Sequence, residues 1–507
     1  MDHSTKLLSP GQIRQADAYT IAHEPVLSIE LMERAAGACV KWITSHFERQ
    51  HVFHVFCGLG NNGGDGLAIA RLLKYVDYTV KVYIIRYAEK MSDDFLANEI
   101  RLKRIHEDVT DIETAEEFPE IRKEDVIIDA LFGTGLSKPL SGLHAECVRR
   151  INLSKAKVLA IDMPSGLFAN QHSDKYSAVV NADYTLSFQC PKIAFMFPEN
   201  GVRVGKWEIL DIGLSGAFIE QLETKECLLT QKSIAELMKP REKFSHKGNY
   251  GHALLVAGKY STMGAAILAT KACLRSGVGR LTMHSPSRGV AIMQIAVPEA
   301  MISVDKHHEI FSDAPNSLAY SAVGIGPGIG TSLSTHKAVY DLIQQRHHAM
   351  VLDADALNIL SLKKTYHQNL PPHAVLTPHP KEFERLTRIA SNDFERHEIQ
   401  LEFSRKHSVY ILLKGAHSCL TTPKGLSFFN STGNPGMAKG GSGDVLTGVI
   451  TALLAQGHTP LNAALIGMYC HGLAGDIAMQ KHGVIGMTAG DIVDCLPLAF
   501  DTVLKAV

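Results

Sequence analysis

Residues 51–57 read HVFHVFC, an apolar run of strand character, and they feed straight into GLGNNGGDG (58–66). LAIARLLKYV follows, with apolar residues at helical spacing. A strand that turns through glycines into a helix calls for a crossover connection, and crossovers join parallel strands. The unit recurs. Strand-like runs follow at YTVKVYIIR (78–86), DVIIDALF (125–132), KVLAIDM (157–163), ADYTLSF (182–188) and GKWEILDIGL (205–214), with helical stretches such as ANEIRLKRI and GLHAECVRRI between them. This alternation predicts a parallel sheet with helices on both faces. After a polar stretch at 215–245 the pattern restarts with GHALLVAG (251–258). It continues through MGAAILATKACLRSG, GRLTMHS, LAYSAVGIG, MVLDADAL, AVLTPHP and VYILLKG. The 507 residues therefore read as two α/β domains, 1–220 and 226–507, divided within 218–228.

Composition narrows the functional classes. A hydrophobic content of 45% with 20% charged residues suits well-packed domains. A formal net charge of −1 supplies no field to recruit nucleic acid or an acidic membrane. No run approaches the ~20 apolar residues of a spanning helix. MDHSTKLLSPGQIRQAD has no apolar signal-peptide core. The nine cysteines show no C-x-x-C and read as reduced, mostly buried thiols, so a cytoplasmic location is expected. The 25 histidines show no H-x-x-x-H or H-E-x-x-H, and pairs such as His307–His308 and His347–His348 diverge on any regular backbone. They read as ordinary polar residues, not as metal ligands.

Gly58, Gly60 and Gly63 spell G-x-G-x-x-G between strand and helix, the fingerprint of a dinucleotide site. Asn61, Asn62 and Asp65 complicate that reading, because a carboxylate opposes a pyrophosphate at a helix N-terminus. The acid expected ~20 residues on, to bind ribose, is not clear; Glu89 is nearest. A nicotinamide-dependent dehydrogenase is therefore disfavoured. Two further loops, DALFGTGLSKPLSG (129–142) and DMPSGL (162–167), also follow strands. Loops at the carboxyl ends of parallel strands converge on one crevice. It would gather Asn62, Asp65, Asp129, Asp162, Ser165 and Lys138. Their oxygens suit a hard cation, the glycines admit phosphate, and an Asp with a Lys can exchange protons. The plainer alternative makes Asp129 and Asp162 caps or turn formers.

In the second half, GNPGMAKGGSGDVLTGVITALLAQG (433–457) runs glycines into a helix. Gly441, Gly443 and the following N–H groups would form an anion hole. Asp444 stands where a base could take a hydroxyl proton, or where it could serve only as an N-cap.

The loops GNNGGDG, DALFGTGL and DMPSGL together resemble the N-terminal YjeF domain, the NAD(P)H-hydrate epimerase family, over roughly residues 1–215. The resemblance implies a Rossmann-like, three-layer parallel-sheet domain. It implies hydrate contacts from Asn61, Asn62, Gly63, Gly64 and Asp65, and a phosphate cradle of Gly133, Thr134, Gly135, Leu136, Ser137, Lys138 and Pro139. It implies potassium on Asn62, Asp129 and Ser165, and Asp162 at the nicotinamide; Asp162 and Lys138 are the candidates for proton transfer. HKGNYGHALLVAG, GIGPGIG, VLDADALN, LTPHPKEFERL, LLKGAHS and the GSGD loop resemble the C-terminal YjeF domain, the ribokinase-like NAD(P)H-hydrate dehydratases, over 246–450. That implies nucleotide contacts from Lys414, Gly415, Ala416, His417, Ser418 and Gly443. It also implies hydrate contacts from Ala265, Gly328, His379 and Asp444. Lys381 and Lys439 stand where the family has Gly and Thr. They read as exposed rim lysines, with Lys439 a candidate for phosphate.

The activity implied is repair of NADHX and NADPHX: interconversion of R and S hydrates, then dehydration of the S epimer at the expense of ADP or ATP, with Mg2+. The resemblance favours ADP and implies a homo-oligomer. A small-molecule kinase, or a first domain that only binds ligand, uses the same residues differently.

Overall fold

The computed structural model describes residues 5–24, 26–87, 90–105, 108–345 and 349–506. Glu89, His347 and His348 lie outside the described residues. The chain forms two compact units, one of Lys6–Thr224 and the other of the chain from Lys225 onward together with Thr5.

The first unit holds a seven-stranded sheet in the order Val109–Ile112, Thr79–Ile85, Val52–Cys57, Val126–Ala130, Lys157–Ile161, Tyr184–Phe188, Lys206–Leu210. Every pairing is parallel. Alternate residues of the central strands enter opposite cores. Val126 and Ile128 join a cluster with the helices Ser28–His46 and Asn61–Tyr75, whereas Ile127 joins one with Cys147, Val148 and Ile151 of the helix Gly142–Leu153. The strands are therefore apolar on both faces, as a sheet sandwiched between helices requires. The chain leaves Val52–Cys57 toward one edge and returns to Val126–Ala130 on its other side. The switch point opens at these two strands' carboxyl ends.

The glycines of 58–66 have packing roles. A Cβ on Gly58 would lie 2.1 Å from Leu131 O, and one on Gly63 would lie 1.7 Å from Gly58 O. The loop is thus clasped backbone to backbone, with Gly58 N donating to Ala130 O at 3.1 Å. Gly60, with open space around it, is the N-cap of Asn61–Tyr75. The edge strand Val109–Ile112 is not among the strand-like runs of the sequence; it has four residues, two of them exposed polar ones.

The second unit is built on an eleven-stranded sheet: Thr5–Lys6, Glu226–Leu228, Ser427–Phe429, Cys419–Thr421, Tyr410–Leu413, Val375–Leu376, Met350–Leu352, Ala322–Ile325, His252–Val256, Arg280–Ser285, Met301–Val304. From Tyr410–Leu413 to Met301–Val304 the pairs are parallel; Cys419–Thr421 runs antiparallel on both sides. The helix Ser442–Ala455 is buried over nearly its whole length. It crosses the helix Met263–Arg275 so closely that a Cβ on Gly448 would lie 2.1 Å from Ala269 O. Gly448→Ala should therefore force the two helices apart and cost about 1–3 kcal/mol. The expected outcome is a lower urea midpoint by far-UV circular dichroism, and an unchanged midpoint would contradict the close crossing.

Candidate active sites

In the first unit a cavity of about 670 Å³ opens at the switch point. It is lined from the loops by Gly60, Asn61, Asn62, Asp65, Leu131–Leu136 and Asp162, and from the helix Pro10–His23 by Ile13, Arg14, Asp17, Ala18 and Ile21. Asp162 sits at the end of Lys157–Ile161 with φ +63°, a turn conformation that aims its carboxylate across Gly133. A Cβ on Gly133 would lie 2.9 Å from Asp162 Oδ2 and 3.1 Å from Asn62 Oδ1. The middle loop thus threads between these two side chains. Thr134 N donates to Asp162 Oδ2 at 3.1 Å.

Lys192 supplies the ammonium at Asp162. It is buried, and its Nζ donates to Asp162 Oδ1 at 2.9 Å, Ser187 Oγ at 2.6 Å and Phe188 O at 3.2 Å. Lys138, the cation expected there, is exposed and does not line the cavity, nor do Ser137 and Pro139. Lys192 lies within CPKIAF, where nothing but its charge distinguishes it. Gly63 and Gly64 are buried inside the helix Asn61–Tyr75 and do not line this cavity.

Beneath the cavity, Asp129 is buried. It accepts from Ser165 Oγ at 2.6 Å, Ser165 N at 2.8 Å and Leu131 N at 3.3 Å. Burial raises its carboxyl to about 6 against these donors. Ser165 Oγ also accepts from Phe132 N at 2.8 Å, which ties the pair to the residue before Gly133. Both amide atoms of Asn62 are buried without a hydrogen-bond partner. Such a group normally has one, so Asn62 stands out in this loop as an unsatisfied buried amide. The cavity is also rich in carboxylates. Burial, then Asp162, raises Asp17 to about 6, with Lys192 opposing. Burial together with Asp162, Asp17 and Asp94 raises Asp65 well above the usual range.

In the second unit the helix Ser442–Ala455 begins after its N-cap Gly441, which sits at φ +98°, a conformation that favours glycine. Asp444 lies in the first turn and does not cap. Lys414 Nζ donates to buried Asp353 Oδ1 at 2.8 Å, and Asp353 Oδ2 accepts from Thr447 Oγ1 at 2.8 Å. A Cβ on Gly443 would lie 3.2 Å from that Nζ. The ammonium therefore rests against the helix start. Burial, then Asp353, raises Asp444 to about 6, with Lys414 opposing and Asp355 adding to the rise. Asp353 and Asp355 come from VLDADALN, where neither stands out in sequence from an ordinary aspartate at a strand end.

His379 caps the helix Pro380–Leu386 through Nδ1 and lies 3.3 Å from Glu382 Oε1. Glu382 Oε2 lies 4.0 Å from Lys414 Nζ. Ala265 and Gly328 touch each other, since a Cβ on Gly328 would lie 3.1 Å from that of Ala265. Gly415 and Ser418 close a turn after Tyr410–Leu413, with exposed Ala416 between them and His417 Nδ1 at 3.0 Å from Asn430 O. Lys439, the phosphate candidate, is engaged elsewhere: its Nζ donates to Ile485 O at 2.5 Å and Met487 O at 2.6 Å. Lys381 is exposed on the first turn after His379.

Among the described residues no helix is long and apolar enough to cross a membrane. Residues 28–194 match the family of YjeF-related protein N-terminus, and residues 253–498 match that of NAD(P)H-hydrate dehydratase. The bifunctional NAD(P)H-hydrate repair enzyme Nnr of Moorella thermoacetica is 34% identical, over 97% of this chain and 96% of its own. That of Escherichia coli is 33% identical, over 92% and 88%. The ADP/ATP-dependent NAD(P)H-hydrate dehydratase from Bacillus subtilis, co-crystallised with ATP/Mg2+, is 32% identical with a TM-score of 0.49, over 54% of this chain and 97% of its own. With relatives matched end to end and both families present in order, the chain belongs to the bifunctional NAD(P)H-hydrate repair enzymes.

Proposed function

We propose that this chain repairs hydrated NADH and NADPH in two steps, each in its own unit. Residues 1–220 epimerise the hydrate at C6, and residues 226–507 dehydrate the S epimer. The observation that carries the reading is the pairing, in each unit, of one lysine-held strand-end aspartate with a second carboxylate raised to about 6. A group poised there can accept or give a proton near neutral pH.

In the epimerase unit Asp162 faces C6 of the hydrate, and Gly133, Thr134, Gly135 and Leu136 offer backbone to the substrate phosphates. Ser137, Lys138 and Pro139 would reach substrate only from outside the cavity. The partnerless Asn62 amide, with Asp129 and Ser165, is an oxygen set that fits potassium. Bound there, the ion offsets the local carboxylate charge.

In the dehydratase unit Asp444 takes the C6 hydroxyl proton as that oxygen attacks the terminal phosphorus of ADP or ATP. Lys414, Gly443 and the helix N-terminus hold the phosphate charge. The C6–O bond then breaks as C5 gives up its proton to water and the C5=C6 bond forms, and orthophosphate leaves with AMP or ADP as the second product. Ala265, Gly328 and His379 position the hydrate, and Gly415, Ala416, His417 and Ser418 position the nucleotide. Among the described residues no three His, Cys, Asp or Glu side chains converge to hold a metal. Magnesium would enter with the phosphates of its nucleotide, and the protein's share of each step falls to the residues just named.

Incubation of mixed NADHX epimers with ADP tests the whole reading. Wild type should convert both epimers to NADH with release of orthophosphate. Asp162→Asn should leave the R epimer behind, and Asp444→Asn should abolish NADH formation. A stable phosphorylated product would instead make the second unit a kinase. Asp444 also carries a stability signature. Its folded value of about 6 lies above the ordinary 3.8, so its contribution is full below 3.8 and is lost as pH rises through 6. Asp444→Asn should therefore melt above wild type at pH 7–8, with the gap closing below about pH 4.

A further inference from the structure

The helix Pro10–His23 precedes residues 28–194, the stretch that matches the N-terminal family, yet it forms one wall of the cavity. Ile13, Asp17 and Ile21 recur every fourth residue on the wall, with Arg14 and Ala18 beside them. Asp17 is the one carboxylate among them. The helix is fixed at both ends. Ser9 caps it, Gln12 Nε2 donates to Glu223 O at 2.7 Å, and Thr20 Oγ1 accepts from Ser215 N at 3.0 Å. Asp17 is therefore held at the helical wall while Asp162 is held at the sheet end.

A hydrated nicotinamide is a hemiaminal: C6 carries a hydroxyl and is bonded to ring N1. Inverting C6 needs the C–O bond to break and re-form from the other face. Resting on the epimerase reading above, we propose that Asp17 is a second catalytic residue, working from the wall opposite Asp162. Asp17 gives a proton to the departing hydroxyl, the N1 lone pair closes a C6=N1 iminium, and water leaves. Water then adds to the other face and loses its proton to Asp162. One proton has passed from Asp17 to Asp162 and one water has been exchanged; the S-to-R direction runs the same steps backward. The pair works with one proton between its members. Arg14, Asp65, Asp94 and the Lys192 behind Asp162 complete the charged surroundings. Burial and Asp162 raise Asp17 to about 6, so epimerisation should fall as pH rises through 6.

The test uses the full chain, R-enriched NADHX and no nucleotide, in water labelled with ¹⁸O, read by chiral separation and mass spectrometry against an enzyme-free control. Wild type should add one ¹⁸O at C6 per inversion. Asp17→Asn should slow inversion roughly 100-fold and remove the fall above pH 6, while dehydration of the S epimer with ADP stays unchanged. Asp17→Ala should be rescued by added formic acid, which a merely structural role would not allow. Inversion by Asp17→Asn within threefold of wild type, inversion without ¹⁸O uptake, or no rescue by formic acid would each overturn the proposal. Wild type that leaves both epimers unchanged would overturn the epimerase reading itself.

Discussion

Both units bring more carboxylates than ammonium groups to the ends of their parallel strands, and that shortage of positive charge organises each site. Lys192 is committed to Asp162, and Lys414 to Asp353. The carboxylates left over, Asp17 and Asp65 in one unit and Asp444 in the other, meet burial and like charge at once. All are raised. A buried pair of this kind adds little to stability by itself, because desolvation offsets the attraction. Its aspartate adds to the rise that burial imposes on the neighbouring carboxylate, and its lysine opposes that rise.

The crowding depends on backbone. In the first unit Gly58, Gly63 and Gly133 let loops touch where any side chain would collide, so Asn62 and Asp162 flank one peptide. In the second, Gly448 lets two helices cross at backbone distance, which seats the start of Ser442–Ala455 beside Asp353 and Lys414. The dinucleotide-like glycine pattern is thus a packing device at the crevice between these loops.

The architecture was legible in the sequence wherever strands were buried on both faces, because continuous apolar runs between helical patterns have few other solutions. The short strands Val109–Ile112, Met301–Val304, Cys419–Thr421 and Ser427–Phe429 escaped, being three or four residues long with too little pattern to read. The loops that line the first unit's cavity were legible because glycines and oxygens cluster there. Lys192 and Asp17 were not. A lysine buried by tertiary contacts looks like any lysine in sequence, and an aspartate on a helix wall looks like a solvated one. Lys138 was favoured because it stood in a glycine-rich loop, but the loop turns it outward. Lys439 stood near the anion hole, but the carbonyls of Ile485 and Met487 draw its ammonium away.

Carboxyl ¹³C NMR titration of aspartate-labelled protein, with Asp17→Asn and Asp444→Asn to assign the signals, measures the central quantity directly. Asp17 and Asp444 should titrate near 6, and Lys192→Met should move Asp17 higher by removing the charge that opposes its rise. Midpoints near 4 for both, the range of solvated aspartates, would contradict the account.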